Sequence, residues 1–325
     1  MTADLAIGGI VSGDPTFEDV LAASERIRGH VHRTPVMTSA AIDRISGAHL
    51  HFKCENLQKV GAFKARGATN AVLSLDEDSA ERGVATHSSG NHAAALAYAA
   101  SIRAIPAYVV MPSSAPPVKR AAVEGYGAEI TECAPTLDAR ETMLDEVVAR
   151  TGATFIHAYD NPMVIAGQGT AALELIADVP DIDVVMAPVG GGGLMSGTAI
   201  AVSASRPDVA LWGAEPIAAD DAYRSLRDGT LYPPVAPQTV ADGLLTSLSD
   251  RTFRILGERL EGILTVSEEN IIRAMRLLWE RMKLVVEPSG AVPLAAVLEH
   301  SDRFADRRVG LILSGGNVDL DHLPW

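Results

Sequence analysis

The sequence predicts an α/β protein of two lobes, one inserted into the other. Three observations lead there. Short apolar, β-branched runs alternate with alanine- and leucine-rich stretches, the pattern of parallel strands joined by crossover helices. The chain has 325 residues, 47% hydrophobic and 21% charged, enough for two substantial cores. One block, 84–157, alternates strand and helix without interruption and exits at Asp160-Asn161-Pro162.

Within that block, 84–87 reads as a strand and the alanine-rich 91–101 as a helix. Strand 105–111 stops at Pro112, and helix 118–126 stops at Gly127, a turn residue that leads into strand 128–132. Helix 138–150 and strand 154–157 complete a small lobe over 76–160. The large lobe takes 1–75 and 161–325. Its expected elements are helix 165–176, strand 184–188, a helix from Leu194, strand 209–214, helix 268–283 and strand 309–313. The proline-rich 232–237 reads as a surface loop, and no repeat or low-complexity tract interrupts the chain.

A formal net charge of -14 repels nucleic-acid backbones and anionic headgroups, so neither partner is expected. Two cysteines, Cys54 and Cys133, are too few for a disulfide framework and suit a reducing compartment. The apolar run 5–11 lacks a basic flank, and no segment is long enough to span a bilayer, so a cytoplasmic protein is expected.

The chemistry concentrates at four places. Gly190 to Gly193 follow the strand 184–188 and open a helix, where bare backbone amides can close on an anion and the helix start carries partial positive charge. Phosphate is the natural tenant. A dinucleotide fingerprint is the rival reading, but Ser196 stands where its last glycine belongs. Lys64 sits among Ala62, Phe63, Ala65 and Gly67, a packed setting for an amine able to form an imine. Lysine and glycine tetrad together suggest pyridoxal phosphate. Ser88-Ser89-Gly90-Asn91-His92 lies between a strand and a helix and could hold a carboxylate, although alone it reads as plain capping. Ser314-Gly315-Gly316-Asn317 ends the last strand, where open α/β sheets put ligands.

Taken together, Phe52 to Asn56, Ala62-Phe63-Lys64, Ser88 to His92, the glycine tetrad, Glu287-Pro288-Ser289-Gly290 and Ser314 to Asn317 give the chain a resemblance over nearly its whole length. It resembles the fold-type II pyridoxal-phosphate enzymes of the serine/threonine dehydratase and serine racemase family, nearest to the branch of serine racemase and 3-hydroxyaspartate dehydratase. The resemblance implies two lobes, each with a twisted, mostly parallel sheet flanked by helices. It implies Lys64 as the Schiff-base lysine and catalytic base, Gly190, Gly191, Gly192 and Gly193 as the phosphate cradle, Phe63 and Asn91 beside the cofactor ring, and Ser314 at the ring nitrogen. A serine there moderates the electron sink relative to a carboxylate, which favours β-elimination over transamination.

The expected reaction is loss of water from a small β-hydroxy-α-amino acid, giving a 2-oxo acid or imino acid and ammonia. Ser89 matches the position opposite Lys64, which makes racemisation conceivable. Ser88, Ser89, Asn91 and His92 are the implied cradle of the substrate carboxylate. Arg140 matches an arginine of the racemase branch able to meet a second carboxylate, which favours 3-hydroxyaspartate. Tyr159 stands where animal racemases have asparagine, and Ala62 replaces the family's usual serine. Glu215, Ala219 and Asp221 match the family's divalent-cation segment, whose oxygen ligands suit magnesium or calcium. The pairs His30/His32 and His49/His51 are assigned no metal. A homodimer is expected from the family.

Overall fold

The computed structural model describes residues 13–325 except Ser89 and Pro116, and leaves the Val118 side chain undescribed. Its strands are β1 (Val36–Met37), β2 (His49–Cys54), β3 (Val84–His87), β4 (Ala107–Pro112), β5 (Glu129–Cys133), β6 (Thr154–Phe155), β7 (Val184–Pro188), β8 (Ala210–Pro216), β9 (Gly262–Val266) and β10 (Arg308–Leu313). The helices of the first half are α1 (Phe17–Arg26), α2 (Ala40–Ser46), α3 (Lys64–Leu73), α4 (Glu77–Arg82), α5 (Asn91–Arg103), α6 (Pro117–Gly125) and α7 (Leu137–Thr151). Those of the second are α8 (Pro162–Asp178), α9 (Gly193–Ser205), α10 (Asp221–Asp228), α11 (Asp250–Arg259), α12 (Glu268–Leu277) and α13 (Pro288–Glu299).

Two sheets carry the fold. The larger runs β1-β2-β10-β7-β8-β9 and the smaller β5-β4-β3-β6. Every pairing is parallel except β1 with β2. Each residue of β7 is buried, the signature of a central strand covered on both faces.

Helix α3, whose first residue is Lys64, is pressed against α8 through small residues. A Cβ on Gly67 would lie 2.6 Å from the Val164 carbonyl, and one on Gly167 would lie 2.6 Å from Gly67 Cα. A buried ionic cluster pins the same helix. Arg66 grips Glu55 through Nε (2.7 Å) and Nη2 (2.8 Å), and Glu174 through Nη1 (2.8 Å), while Lys53 Nζ reaches Glu174 at 2.6 Å. Two cations face two carboxylates in paired geometry, so their desolvation is offset by short charged hydrogen bonds.

Helix 268–283 runs as expected but changes its winding: α12 passes after Leu277 into a π-turn over Leu278–Met282 and ends at Lys283, which takes a left-handed φ of 60°. Neither Gly nor Pro marks that change. Elsewhere the differences are at ends. Pro106 delays β4 to Ala107, and α8 starts three residues early because Asn161 caps it, its Oδ1 accepting from Met163 and Val164 N–H.

Candidate active site

The two segments that flank Lys64 and end β10 are zipped together. Phe63 N–H donates to the Ser314 carbonyl (2.9 Å), Gly316 N–H donates to the Gly61 carbonyl (2.9 Å), and Ala62 bridges Gly315. That places Lys64, Ser314 and Asn317 in one cleft. The half-buried Lys64 side chain donates from Nζ to the Ala158 carbonyl at 2.9 Å, with Nζ 5.0 Å from the Phe63 ring centre. Burial lowers its pKa to about 8, against the opposing pull of the Glu287 carboxylate.

Asn91 is the hub of the facing wall. Its Nδ2 donates to Glu287 Oε1 (2.9 Å) and Oε2 (3.2 Å), and its Oδ1 accepts from Asn317 Nδ2 (2.9 Å), which also reaches the Val60 carbonyl (2.8 Å). Glu287 is 4% exposed, and burial and then the Asp242 charge raise its pKa to about 7. Glu287 carries no expected role from sequence beyond its place in Glu287-Pro288-Ser289-Gly290. In the structure it precedes Pro288 at a helix start and makes no side-chain cap, so its carboxylate is directed elsewhere.

Helix α5 begins with Gly90 as N-cap and no side-chain cap, so the plain-capping alternative is not realised by any described side chain. The Ser88 hydroxyl accepts from Gly90 N–H at 3.2 Å. Ser89 lies outside the described residues. The His92 ring is 3% exposed and bonds through Nε2 to the Ile156 carbonyl (3.0 Å), with burial, then the Lys64 charge, lowering its pKa to about 3. Its side chain therefore faces the interior, which leaves its backbone for the cleft. Burial likewise lowers His157 to about 4. Arg140, on the first turn of α7, donates from Nε only to the Thr136 carbonyl (3.3 Å) and has no carboxylate partner among the described residues. Its charge helps burial to lower the pKa of His87, at the end of β3.

The glycine tetrad joins β7 to α9, with Gly192 as N-cap at φ 83° and no capping side chain. Walls close on it from both sides. A Cβ on Gly193 would meet Tyr159 Cβ at 2.8 Å, one on Gly190 would meet Leu244 Cα at 3.0 Å, and one on Gly192 would meet Leu248 Cδ2 at 2.7 Å. On the first turn of α9 the Ser196 hydroxyl is buried without a hydrogen-bond partner among the described residues. Free amides at a helix start beside an orphaned donor make an anion site.

This geometry is accompanied by a family match. The family profile described as "Pyridoxal-phosphate dependent enzyme" matches residues 27–315. The chain belongs to that family. It is 52% identical to the beta-hydroxyaspartate dehydratase of Paracoccus denitrificans (strain Pd 1222) over 96% of this chain and 99% of that protein. The solved serine racemase of Dictyostelium discoideum has 49% identity and a TM-score of 0.91, covering 94% of this chain and 99% of that one. A solved threonine deaminase from T.th. has 48% identity and a TM-score of 0.90, covering 94% of this chain and 99% of that one. The cofactor fits what is present: a lysine amine whose pKa is lowered, a cradle that side chains would fill, and the orphaned Ser196 hydroxyl.

The segment expected to hold a divalent cation lies at the end of β8. Glu215 is fully buried and accepts from Ala222 N–H (3.1 Å) and Tyr223 N–H (2.8 Å). Asp221 Oδ2 is buried without a hydrogen-bond partner among the described residues, beside a cavity of about 360 Å³ lined by Ala219, Asp220, Asp221 and Arg224. Burial raises Asp221 to about 6 and Glu215 well above its ordinary range. Arg224 is committed to Asp220 (2.8 Å). Among the described residues no three His, Cys, Asp or Glu side chains converge as a metal set, so two carboxylates and the Ala219 carbonyl are the donors on offer.

Proposed function

We propose that the chain is a pyridoxal-phosphate-dependent ammonia-lyase that removes water from a small β-hydroxy-α-amino acid, with 3-hydroxyaspartate as its substrate. The observation that carries the reading is the Lys64 amine, held over Phe63 with its pKa lowered to about 8 and facing Asn91, Glu287 and the end of β10. Bound there, the cofactor supplies an electron sink for the substrate's α-carbon. Gly190 to Gly193 and the α9 start hold its phosphate, Phe63 and Asn91 flank its ring, and Ser314 meets its nitrogen.

Lys64 Nζ takes the α-proton, and as an ammonium it returns a proton to the departing β-hydroxyl. The C–O bond breaks, water leaves, and hydrolysis of the imino acid gives the 2-oxo acid and ammonia. His92 and His157 stay neutral at pH 7 and do not compete as acids. The uncapped start of α5, from Ser88 to His92, takes the α-carboxylate, and Arg140 takes the second one. The relative that acts on beta-hydroxyaspartate supports that substrate. The serine racemase relatives support racemisation as a second activity, for which Ser89 is the expected second acid–base group.

Oxo-acid release over L-serine, D-serine, L-threonine and the 3-hydroxyaspartate stereoisomers tests the reading. The parent is expected to favour a 3-hydroxyaspartate and Lys64→Ala to release none; a Lys64→Ala protein that still turns over overturns it. We further assign Mg²⁺ or Ca²⁺ to Glu215, Ala219 and Asp221, supported by the unpartnered Asp221 oxygen. Magnesium should raise the melting temperature of the parent and not of Asp221→Asn. The same reading includes residues 76–160 as a small lobe, a homodimer and a cytoplasmic location. No described helix is long and apolar enough to cross a membrane.

A further inference from the structure

Two backbone irregularities stand back to back in the chain before Glu287. The π-turn over Leu278–Met282 is followed by Lys283 at φ 60°. Each is locally unfavourable for these residues and persists only where surrounding structure over-determines it. Their effect is to turn the chain so that the Trp279 indole Nε1–H donates to the Val286 carbonyl at 3.0 Å.

The residues leading to Glu287 are then tied one by one. Leu284 N–H reaches the Leu278 carbonyl (3.3 Å), the Val285 carbonyl accepts from Asn56 Nδ2 (3.0 Å), and Glu287 N–H reaches the Gly315 carbonyl (3.0 Å). Behind Trp279 stands Trp325, edge to face with ring centres 5.3 Å apart. The Arg276 guanidinium lies 5.6 Å over the Trp325 ring.

We propose that Trp279, braced by Trp325, is a positioning residue for the active site: by holding the Val286 carbonyl it fixes the Glu287 carboxylate on Asn91 and opposite Lys64. This rests on the reading of Lys64 as the reactive amine. The charged groups that face Glu287 are Lys64, Asp242 and Lys119, and Asn91 donates to it. Glu287 is the group whose charge holds the Lys64 pKa up against burial. Slack in Glu287 therefore reads out on Lys64.

Trp279→Phe keeps an aromatic ring beside Trp325 and deletes the N–H; Trp325→Ala keeps the N–H and removes the brace. In cofactor-free protein, competitive acetylation across pH with mass spectrometry reads the Lys64 amine. Trp279→Phe is expected to move its midpoint down by roughly half a unit, and Trp325→Ala by less in the same direction. In the loaded enzyme, kcat for oxo-acid release should fall about 3- to 10-fold with KM within about twofold. If both variants melt lower but keep the parental Lys64 profile and kcat per bound cofactor, the tryptophans only pack and the proposal is overturned. If the parent itself releases no oxo acid, the proposed function fails, while the acetylation profile still decides the role of Trp279.

Discussion

At the scale of single residues, the site sets two groups against their ordinary chemistry. An unperturbed lysine is almost wholly an ammonium at pH 7, whereas Lys64 at about 8 keeps roughly a tenth of its amines neutral. Only the neutral amine attacks an aldehyde, so the rate at which cofactor-free protein takes up pyridoxal phosphate should climb through pH 6 to 8 and level off above 8. A profile still rising steeply at pH 10, followed by stopped-flow absorbance, would show an ordinary lysine. Glu287 is displaced the other way. Its folded pKa of about 7 lies above the ordinary 4.5, so its contribution to stability is complete below 4.5 and lost as pH rises to about 7. Glu287→Gln should thus match the parent's melting temperature at pH 4.5 and exceed it at pH 8, where the buried charge costs about 3 kcal/mol at most. The same variant should lose activity, because Asn91 and Lys64 lose a charged partner. Equal melting at both pH values would mean the carboxylate is not buried as described.

At the scale of elements, α3 makes the site because it has nowhere else to go. Its Gly67 meets the α8 backbone, and its Arg66 is locked by Glu55 and Glu174. Replacing Gly67 by Ala gains up to about 1 kcal/mol of helix propensity. The new Cβ, 2.6 Å from the Val164 carbonyl, meets backbone that cannot step aside, and such overpacking typically costs about 1–3 kcal/mol. The clash wins: Gly67→Ala should melt lower and lose cofactor. Gly257→Ala, on α11 with open space around it, should melt slightly higher. Strands 84–87 and 184–188 were legible from sequence to the residue because buried runs containing β-branched residues end there at polar or proline punctuation. The π-turn was not, because Leu278, Trp279 and Met282 keep a helical apolar spacing, and the Val286 carbonyl that Trp279 meets lies beyond the end of that run. Lys64, the glycine tetrad, Asn91 and Ser314 were legible as motifs. The partnership of Asn91 with Glu287 was not, since it joins residues 196 apart.

At the scale of the whole molecule, ion pairs join the segments around the two sheets, Lys119–Asp242 and Arg251–Asp160 among them. Lys119 on α6, beside the four-stranded sheet, donates to Asp242 at 2.6 Å. Asp242 belongs to the turn 242–244, which lies against Gly190 of the glycine loop and whose Gly243 N–H donates to Ser289 Oγ at 3.0 Å. With Asp242 54% exposed, the pair contributes about 0–1 kcal/mol to stability and is screened by salt. So weak a contact cannot hold the fold together. It can bias how closely the two sheets approach, because a closure equilibrium shifts by the full differential energy of the contact. Lys119→Gln should therefore leave the melting temperature within about 1 °C of the parent while KM for the hydroxy amino acid rises about 2- to 5-fold. The parent's KM should rise more steeply with added NaCl than the variant's, because the variant has already lost one of the screened pairs. A variant that keeps the parental salt dependence of KM would place the salt-sensitive step elsewhere, with Arg140 and the substrate's second carboxylate as the pair to test next.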